Sequence, residues 1–398
     1  MTRAPEPIGD RPLAACEDAL HEAAHAATGL ADFGPDGYRE GLRRLLHSWD
    51  EDADLSPEGR AAAFEVASTA LAGRLHSQAA WKRHPECLDR EIRRPLFVIG
   101  LARTGTTALH HLLACDPAVQ GLELWLVPAP RPRPPRATWE GDPQYRACAD
   151  ALAARFAAQP GLRAIHEMAA DAPDECWRLF HQTFASVTFE CIAHVATYTR
   201  WWLGCDMRGA YARHRDHLKL IGGHEPERRW VLKDPSHLFH LEALLGAFPD
   251  ACFVWTHRDP VRAIPSTCSL NMAFRLGDRA PDPALHGRTQ LELWGRGIDR
   301  TLAARRRLGA RFLDVEQREI AEDPFGVVRR IAAHFGFEVS EAALASMRRF
   351  RAANPRGRHG EHAYRPEDYG LTPGEIRDRF AAYLEAYPEV ASTSGGMR

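Results

Sequence analysis

Leu96-Phe-Val-Ile99 is a run of four apolar residues that ends at Gly100 and is followed by leucines at helical spacing, Leu109, Leu112 and Leu113. The pattern predicts a buried strand, a glycine loop and a helix stopped by Asp116-Pro117. Three further short runs read as strands. Trp230-Val-Leu-Lys233 ends at Asp234-Pro235, Cys252-Phe-Val-Trp-Thr256 runs into His257-Arg-Asp-Pro260, and Arg311-Phe-Leu-Asp-Val315 completes the set. Helical patterns fill the intervals. Asp174 is expected to open an amphipathic helix with Cys176, Leu179, Phe180, Phe184 and Val187 inward, and Ser236 to cap a helix burying Leu238, Leu241, Leu245 and Phe248. A long helical hairpin is expected around 288–308, and Asp323-Pro324 starts a helix with Val327, Val328, Ile331 and Phe335 inward and Gly336 at its end. The last helix begins with the capping box Thr372-Pro-Gly-Glu375 and buries Ile376, Phe380, Tyr383 and Leu384. Pro265 predicts a turn or kink between itself and Pro260. Strands alternating with helices predict an α/β fold, a parallel sheet covered on both faces.

Residues 1–92 read as a helical N-terminal lobe, with Ser56-Pro57-Glu58 as a helix start and Phe64, Leu71 and Leu75 on its apolar face. The main domain is expected over 93–390, with a disordered tail at 391–398. Composition narrows the partners. Lys+Arg total 51 against 53 for Asp+Glu, so no basic field points to nucleic acid. No apolar run approaches the roughly 18 residues of a membrane span, and the polar, proline-bearing N-terminus lacks a signal-peptide core, so a cytoplasmic protein is expected. Nine scattered cysteines without a CxxC pair, and twenty histidines without an HExxH helix, give no metal site. Only Lys82, Lys219 and Lys233 are lysines among the 51 basic residues, which makes a lysine inside a motif an informative choice of cation.

The loop after the first strand carries the chemistry. Gly100 and Gly105 have Walker A spacing, but Thr106 stands where that motif has its lysine, and the cation is Arg103. Backbone N–H groups and a helix N-terminus converge on one anion there, but without the lysine the loop lacks its usual grip on β- and γ-phosphates, so a nucleotide with a short charged 5′ arm suits it better than a nucleoside triphosphate. The bland alternative is an ordinary strand-turn-helix junction. Glu123, between leucines and just before the proline run Val127 to Pro135, is either solvated or a desolvated carboxylate suited to proton abstraction. The aromatics Tyr198, Trp201 and Trp202 would line an acceptor pocket or serve the core. Arg258 at a strand end and Ser266 eight residues on would meet one anion if the chain between them turns back, and Asn354-Pro-Arg-Gly-Arg-His-Gly360 is a basic glycine loop.

Together, over about 93–390, these segments resemble the PAPS-dependent sulfotransferases, in particular the bacterial family related to the tyrosylprotein enzymes. The resemblance implies a P-loop-like three-layer sandwich with a central parallel sheet. It implies that Arg103, Thr104, Gly105, Thr106 and Thr107 hold the 5′-phosphosulfate of 3′-phosphoadenosine 5′-phosphosulfate (PAPS), and that Arg258 and Ser266 hold the 3′-phosphate. Arg356, Gly357 and Arg358 match part of the family's C-terminal loop, with Pro355 where its first arginine stands; Ala102 and Thr104 replace the usual proline and serine of the first loop. Lys233 in Lys-Asp-Pro lies where relatives place a lysine near the scissile bond, and Glu123 where they place a catalytic glutamate. His237 is the runner-up base and His166 a third. The implied reaction is metal-free sulfuryl transfer to the hydroxyl of a small molecule such as a phenol, lipid or secondary metabolite, leaving adenosine 3′,5′-bisphosphate (PAP), with sulfation either final or a leaving-group step. A homodimer stays open. The rival readings are a degenerate P-loop kinase with Asp314 as its acidic residue and a nucleotide-binding protein without turnover.

Overall fold

The structure, a computed structural model, describes residues 11–225, 227–308, 311–355 and 364–392. Five strands form its sheet: β1 Leu96–Ile99, β2 Val119–Gln120, β3 Arg229–Lys233, β4 Cys252–His257 and β5 Phe312–Glu316. They run in the order β2-β3-β1-β4-β5, and every neighbouring pair is parallel. Both faces are covered, which explains why the strands read as unbroken apolar runs. Successive side chains of a strand point to opposite faces. Leu96, Val98, Val231 and Val254 therefore join a core with Leu109, Leu112 and Leu113 and with Val327, Val328, Ile331 and Phe335. Phe97, Ile99, Leu232, Phe253 and Trp255 face the larger core on the other side. The N-terminal helices Arg39–Glu51 and Pro57–Arg83 contribute Leu42, Leu45, Trp49, Leu71 and Leu75 to that same larger core.

The chain leaves β1 towards β2 and returns across β1 to reach β4, so the order reverses between β1 and β4. Ligands of open α/β sheets bind in the crevice beyond the strand C-termini at such a point. The glycine loop and Arg258 follow these two strands.

Several local expectations change. The 174–187 segment is not one helix: it makes a short helix at Trp177–Phe180 and a 3₁₀ turn at His181–Thr183, then breaks at Phe184, which has φ +51°. Its apolar residues are buried as expected, but by irregular chain rather than by one helical face. Asp234, not Ser236, caps the next segment: its Oδ1 accepts the Ser236 N–H at 2.8 Å, and a 3₁₀ turn at Pro235–Phe239 precedes the helix Leu241–Ala247. That shift buries Leu244 where Leu245 was expected. Pro260–Met272 runs through Pro265 as one helix, at the loss of the bond to the Val261 carbonyl, with Ala263, Ile264 and Cys268 buried on either side of the proline. The hairpin around 288–308 is a single helix, Pro283–Leu308. The terminal capping box forms, but its helix is short and two more, Ala381–Ala386 and Pro388–Ser392, follow it. Arg356, Gly357 and Arg358 lie outside the described residues, as do 393–398 of the expected tail. Among the described residues no helix is long and apolar enough to cross a membrane.

Candidate functional site

The loop from Gly100 to Thr107 is held open from below. Gly100 has φ +145°, and a Cβ there would stand 2.5 Å from Thr256 Oγ1 and 2.7 Å from the Thr256 carbonyl, so glycine is required. The Thr104 hydroxyl donates to the Leu101 carbonyl at 2.7 Å and lies 2.6 Å from Thr256 Oγ1. β4 thus braces the loop of β1. Gly105, at φ +90°, is the N-cap of the helix Thr106–Leu113, whose first N–H groups face the loop. Arg103 is non-glycine at φ +69°, a conformation that persists where surrounding contacts over-determine it.

Those contacts come from the other predicted anion site. Arg103 Nε donates to Ser266 Oγ at 3.1 Å and Nη1 to the Ile165 carbonyl at 3.2 Å, while Arg258 Nη1 donates to the Arg103 carbonyl at 2.8 Å. Arg258 and Ser266 are therefore joined through Arg103, the one bonding its carbonyl and the other accepting from its guanidinium. Burial lowers the Arg103 pKa, and its hydrogen bonds go to neutral oxygens. Tyr364 joins this group. Burial alone would raise its phenol, but its bond to Ser266 and the charges of Arg258 and Arg103 lower it overall.

Lys233 stands at the end of β3, beside the loop helix. Its ammonium donates to Thr107 Oγ1 at 3.1 Å and to Glu175 Oε1. Glu175 is brought there because the Cys176 N–H bonds the Lys233 carbonyl at 3.1 Å. Asp234, next in the chain, has its carboxyl pushed up to about 7 by burial and by the charge of Glu175.

Glu123 lies one segment away. It bridges Pro173, so the chain after β2 runs alongside the stretch that carries Asp174 and Glu175. Burial raises the Glu123 carboxyl, and Arg133 Nε, donating to Glu123 Oε2 at 2.9 Å, opposes that rise. His166 sits against Phe274 with its basicity lowered by burial, and its charged neighbours include Glu175, Asp174 and Lys233. His237 is 0% exposed, its Nδ1 is 2.8 Å from the Tyr211 hydroxyl, and its ring packs on Phe97 and Phe180. This is the setting of a core side chain rather than of a base that must meet an acceptor. The aromatics Tyr198 and Trp202 are likewise core residues, and Phe184 and Phe189 stack beside Tyr198. Asp314, the acidic residue of the kinase reading, is occupied by Arg305, by bonds from Nη1 at 2.9 Å and from Nη2, and by His257 Nε2 at 3.0 Å.

The sequence reading missed Glu175, Thr256, Arg133 and Tyr364. Thr256 ends the third strand run and Arg133 lies in the proline run, but neither pattern signals the role. Glu175 follows Pro173-Asp174 with no periodic signal, and only the tertiary approach of that segment to β3 reveals it.

A loop of this build beside a paired strand-end arginine and helix serine defines a P-loop-like anion-binding enzyme fold, and the chain belongs to the sulfotransferase family: the model of the "Sulfotransferase family" matches residues 95–341. The chain is similar to the crystal structure of sulfotransferase STF1 from Mycobacterium tuberculosis H37Rv, with 42% identity and a TM-score of 0.86, over 94% of this chain and 100% of that one. It is also similar to sulfotransferase STF9 from Mycobacterium avium, with 32% identity and a TM-score of 0.85, over 93% and 96% of the two chains. A 180-residue stretch is 31% identical to the omega-hydroxy-beta-dihydromenaquinone-9 sulfotransferase Stf3 of Mycobacterium tuberculosis, a match over 40% of this chain and 43% of that relative. The matched stretch thus spans less than half the length of that curated relative.

Proposed function

We propose that the protein transfers a sulfuryl group from PAPS to the hydroxyl of a small-molecule acceptor. The observation that carries this reading is the meeting of Arg103, Arg258 and Ser266 beside a glycine loop whose cation is an arginine within it. The residues suit the donor. A glycine cradle that a Cβ would fill at Gly100, a helix N-terminus at Thr106 and a half-buried guanidinium whose hydrogen bonds to Ser266 and Ile165 go to neutral oxygens favour a compact anion. Gly100 to Thr107, with Arg103 and Lys233, would hold the 5′-phosphosulfate arm, and Arg258 with Ser266 the 3′-phosphate. By the family resemblance, Arg356, Gly357 and Arg358 would add to the nucleotide grip.

When bound, PAPS supplies an activated sulfuryl group. The protein's part is to orient that arm, place positive charge from Arg103 and Lys233 beside it, and receive the acceptor's proton. We assign that proton to the Glu123 carboxylate, whose burial raises its pKa and whose backbone is bridged to the segment reaching Lys233. The acceptor class follows the relatives: the name of the matched Stf3 specifies an omega-hydroxyl of a menaquinone-derived lipid. A hydroxyl-bearing small molecule is the class proposed for this chain, acting without a metal and in the cytoplasm, and the helical 1–92 lobe is proposed as a packing element of the main domain.

The kinase reading is the weaker one because Asp314 is already neutralised by Arg305. Arg258→Ala is expected to weaken PAP about 10- to 100-fold and to leave AMP, which lacks the 3′-phosphate, within about twofold, by calorimetric titration. Equal losses for both nucleotides would remove the 3′-phosphate from Arg258.

A further inference from the structure

The Lys233 side chain is only 2% exposed, and a buried ammonium is costly unless it is paired. Among the described residues its hydrogen bonds go to Thr107 Oγ1, in the first turn of the loop helix, and to Glu175 Oε1. The other titratable groups facing Lys233 are His110 and His111 on the loop helix, His166, Asp174 and Cys176 on the covering segment, and Asp234 beside it. None of them takes Glu175's place. Burial lowers the pKa of all three histidines. Asp174 accepts Arg178 Nε at 2.7 Å, and Asp234 Oδ1 accepts the Ser236 N–H. The Glu175 side chain is 19% exposed and belongs to the covering segment rather than to the sheet.

Resting on the PAPS reading, we infer that Glu175 is a positioning residue that competes with the 5′ arm of the nucleotide for the Lys233 ammonium. Its carboxylate aims that ammonium at Thr107, on the rim of the glycine loop, and Lys233 engages the arm only by giving up the pair. An equilibrium between a lysine held by Glu175 and a lysine turned to the nucleotide lowers apparent affinity by the fraction of molecules in the second state. Abolishing the Glu175 charge removes that competition. The same substitution has no reason to alter a nucleotide without a 5′-phosphate.

The test is calorimetric titration of the full chain with PAP and with adenosine 3′-monophosphate, for the wild type, Glu175→Gln, Lys233→Met and the double variant. The inference expects Glu175→Gln to bind PAP about 10-fold more tightly, with adenosine 3′-monophosphate within about twofold of wild type. In the Lys233→Met background the same change is expected to shift PAP affinity less than about twofold, because the competition acts through the lysine. Unchanged or weaker PAP binding in Glu175→Gln overturns the inference. So does tightening that persists without Lys233, which would report simple charge repulsion, or equal tightening of both nucleotides. If Glu175→Gln does not fold, Glu175→Asp decides: its shorter reach is expected to tighten PAP two- to threefold, and no tightening overturns the inference. A wild type that fails to bind PAP overturns the donor reading itself and the inference with it, whereas normal wild-type binding with no tightening in the variant overturns the inference alone.

Discussion

Glu123→Gln is expected to lower kcat by about 10²- to 10⁴-fold while leaving PAP affinity within about threefold, the signature of a base that acts on the acceptor and not on the nucleotide. Glutamine keeps the shape and an oxygen for Arg133 Nε, so the local fold is disturbed little. It cannot take a proton. The carboxyl it replaces is raised by burial even though Arg133 pulls the other way, and a raised carboxyl is the better proton acceptor. Steady-state turnover with any acceptor that the wild type sulfonates, alongside a PAP titration, measures both arms. Unchanged kcat would pass the role to His166 or Glu175, which lie beside Lys233, and not to His237, which is enclosed by Tyr211, Phe97 and Phe180.

Arg103→Ala is expected to have a comparable effect by a different route, a loss of about 10²- to 10³-fold in kcat together with weaker PAP binding. The guanidinium is half-buried and held by Ser266 and the Ile165 carbonyl, which puts its positive charge between the glycine loop and the serine proposed for the 3′-phosphate. Alanine loses that charge. Because Arg103 sits at φ +69°, the substitution also leaves a Cβ-bearing residue in a left-handed conformation with fewer contacts to hold it, which would loosen the loop around Gly105. Arg103→Lys separates the two contributions. It restores charge without the fork that spans Ser266 and Ile165, and is expected to recover PAP binding more than kcat. A kcat unchanged in Arg103→Ala would place the charge that matters elsewhere in the loop.

Much of the site was legible from short-range pattern. The β1 run and its loop could be read because both faces of the strand are buried, which leaves an unbroken apolar run ended by a glycine that must adopt φ +145°. Arg258 and Ser266 could be read as a pair because each lies in a strongly signalled element. The failures share a different cause. β2 is two residues long, too short for any periodicity, and it is a strand only because it lies along β3. The 174–187 stretch has helical spacing of apolar residues, but tertiary burial is satisfied by a chain that breaks at Phe184. Pro265 signals a break by its local chemistry, but the helix Pro260–Met272 continues through it with Ala263, Ile264 and Cys268 buried. Glu175 was invisible because its partner, Lys233, is 58 residues away in sequence and the contact depends on the covering segment docking on β3.

The nucleotide itself is the central claim. Calorimetric titration of the full chain with PAP, AMP and ATP, each with and without magnesium, tests it most directly. The account predicts metal-independent binding of PAP at least 10-fold tighter than AMP or ATP, because Arg258 and Ser266 are proposed to hold a 3′-phosphate and the loop has no Walker lysine at Thr106. Preference for ATP, appearing only with magnesium, would contradict it and return the fold to phosphoryl chemistry.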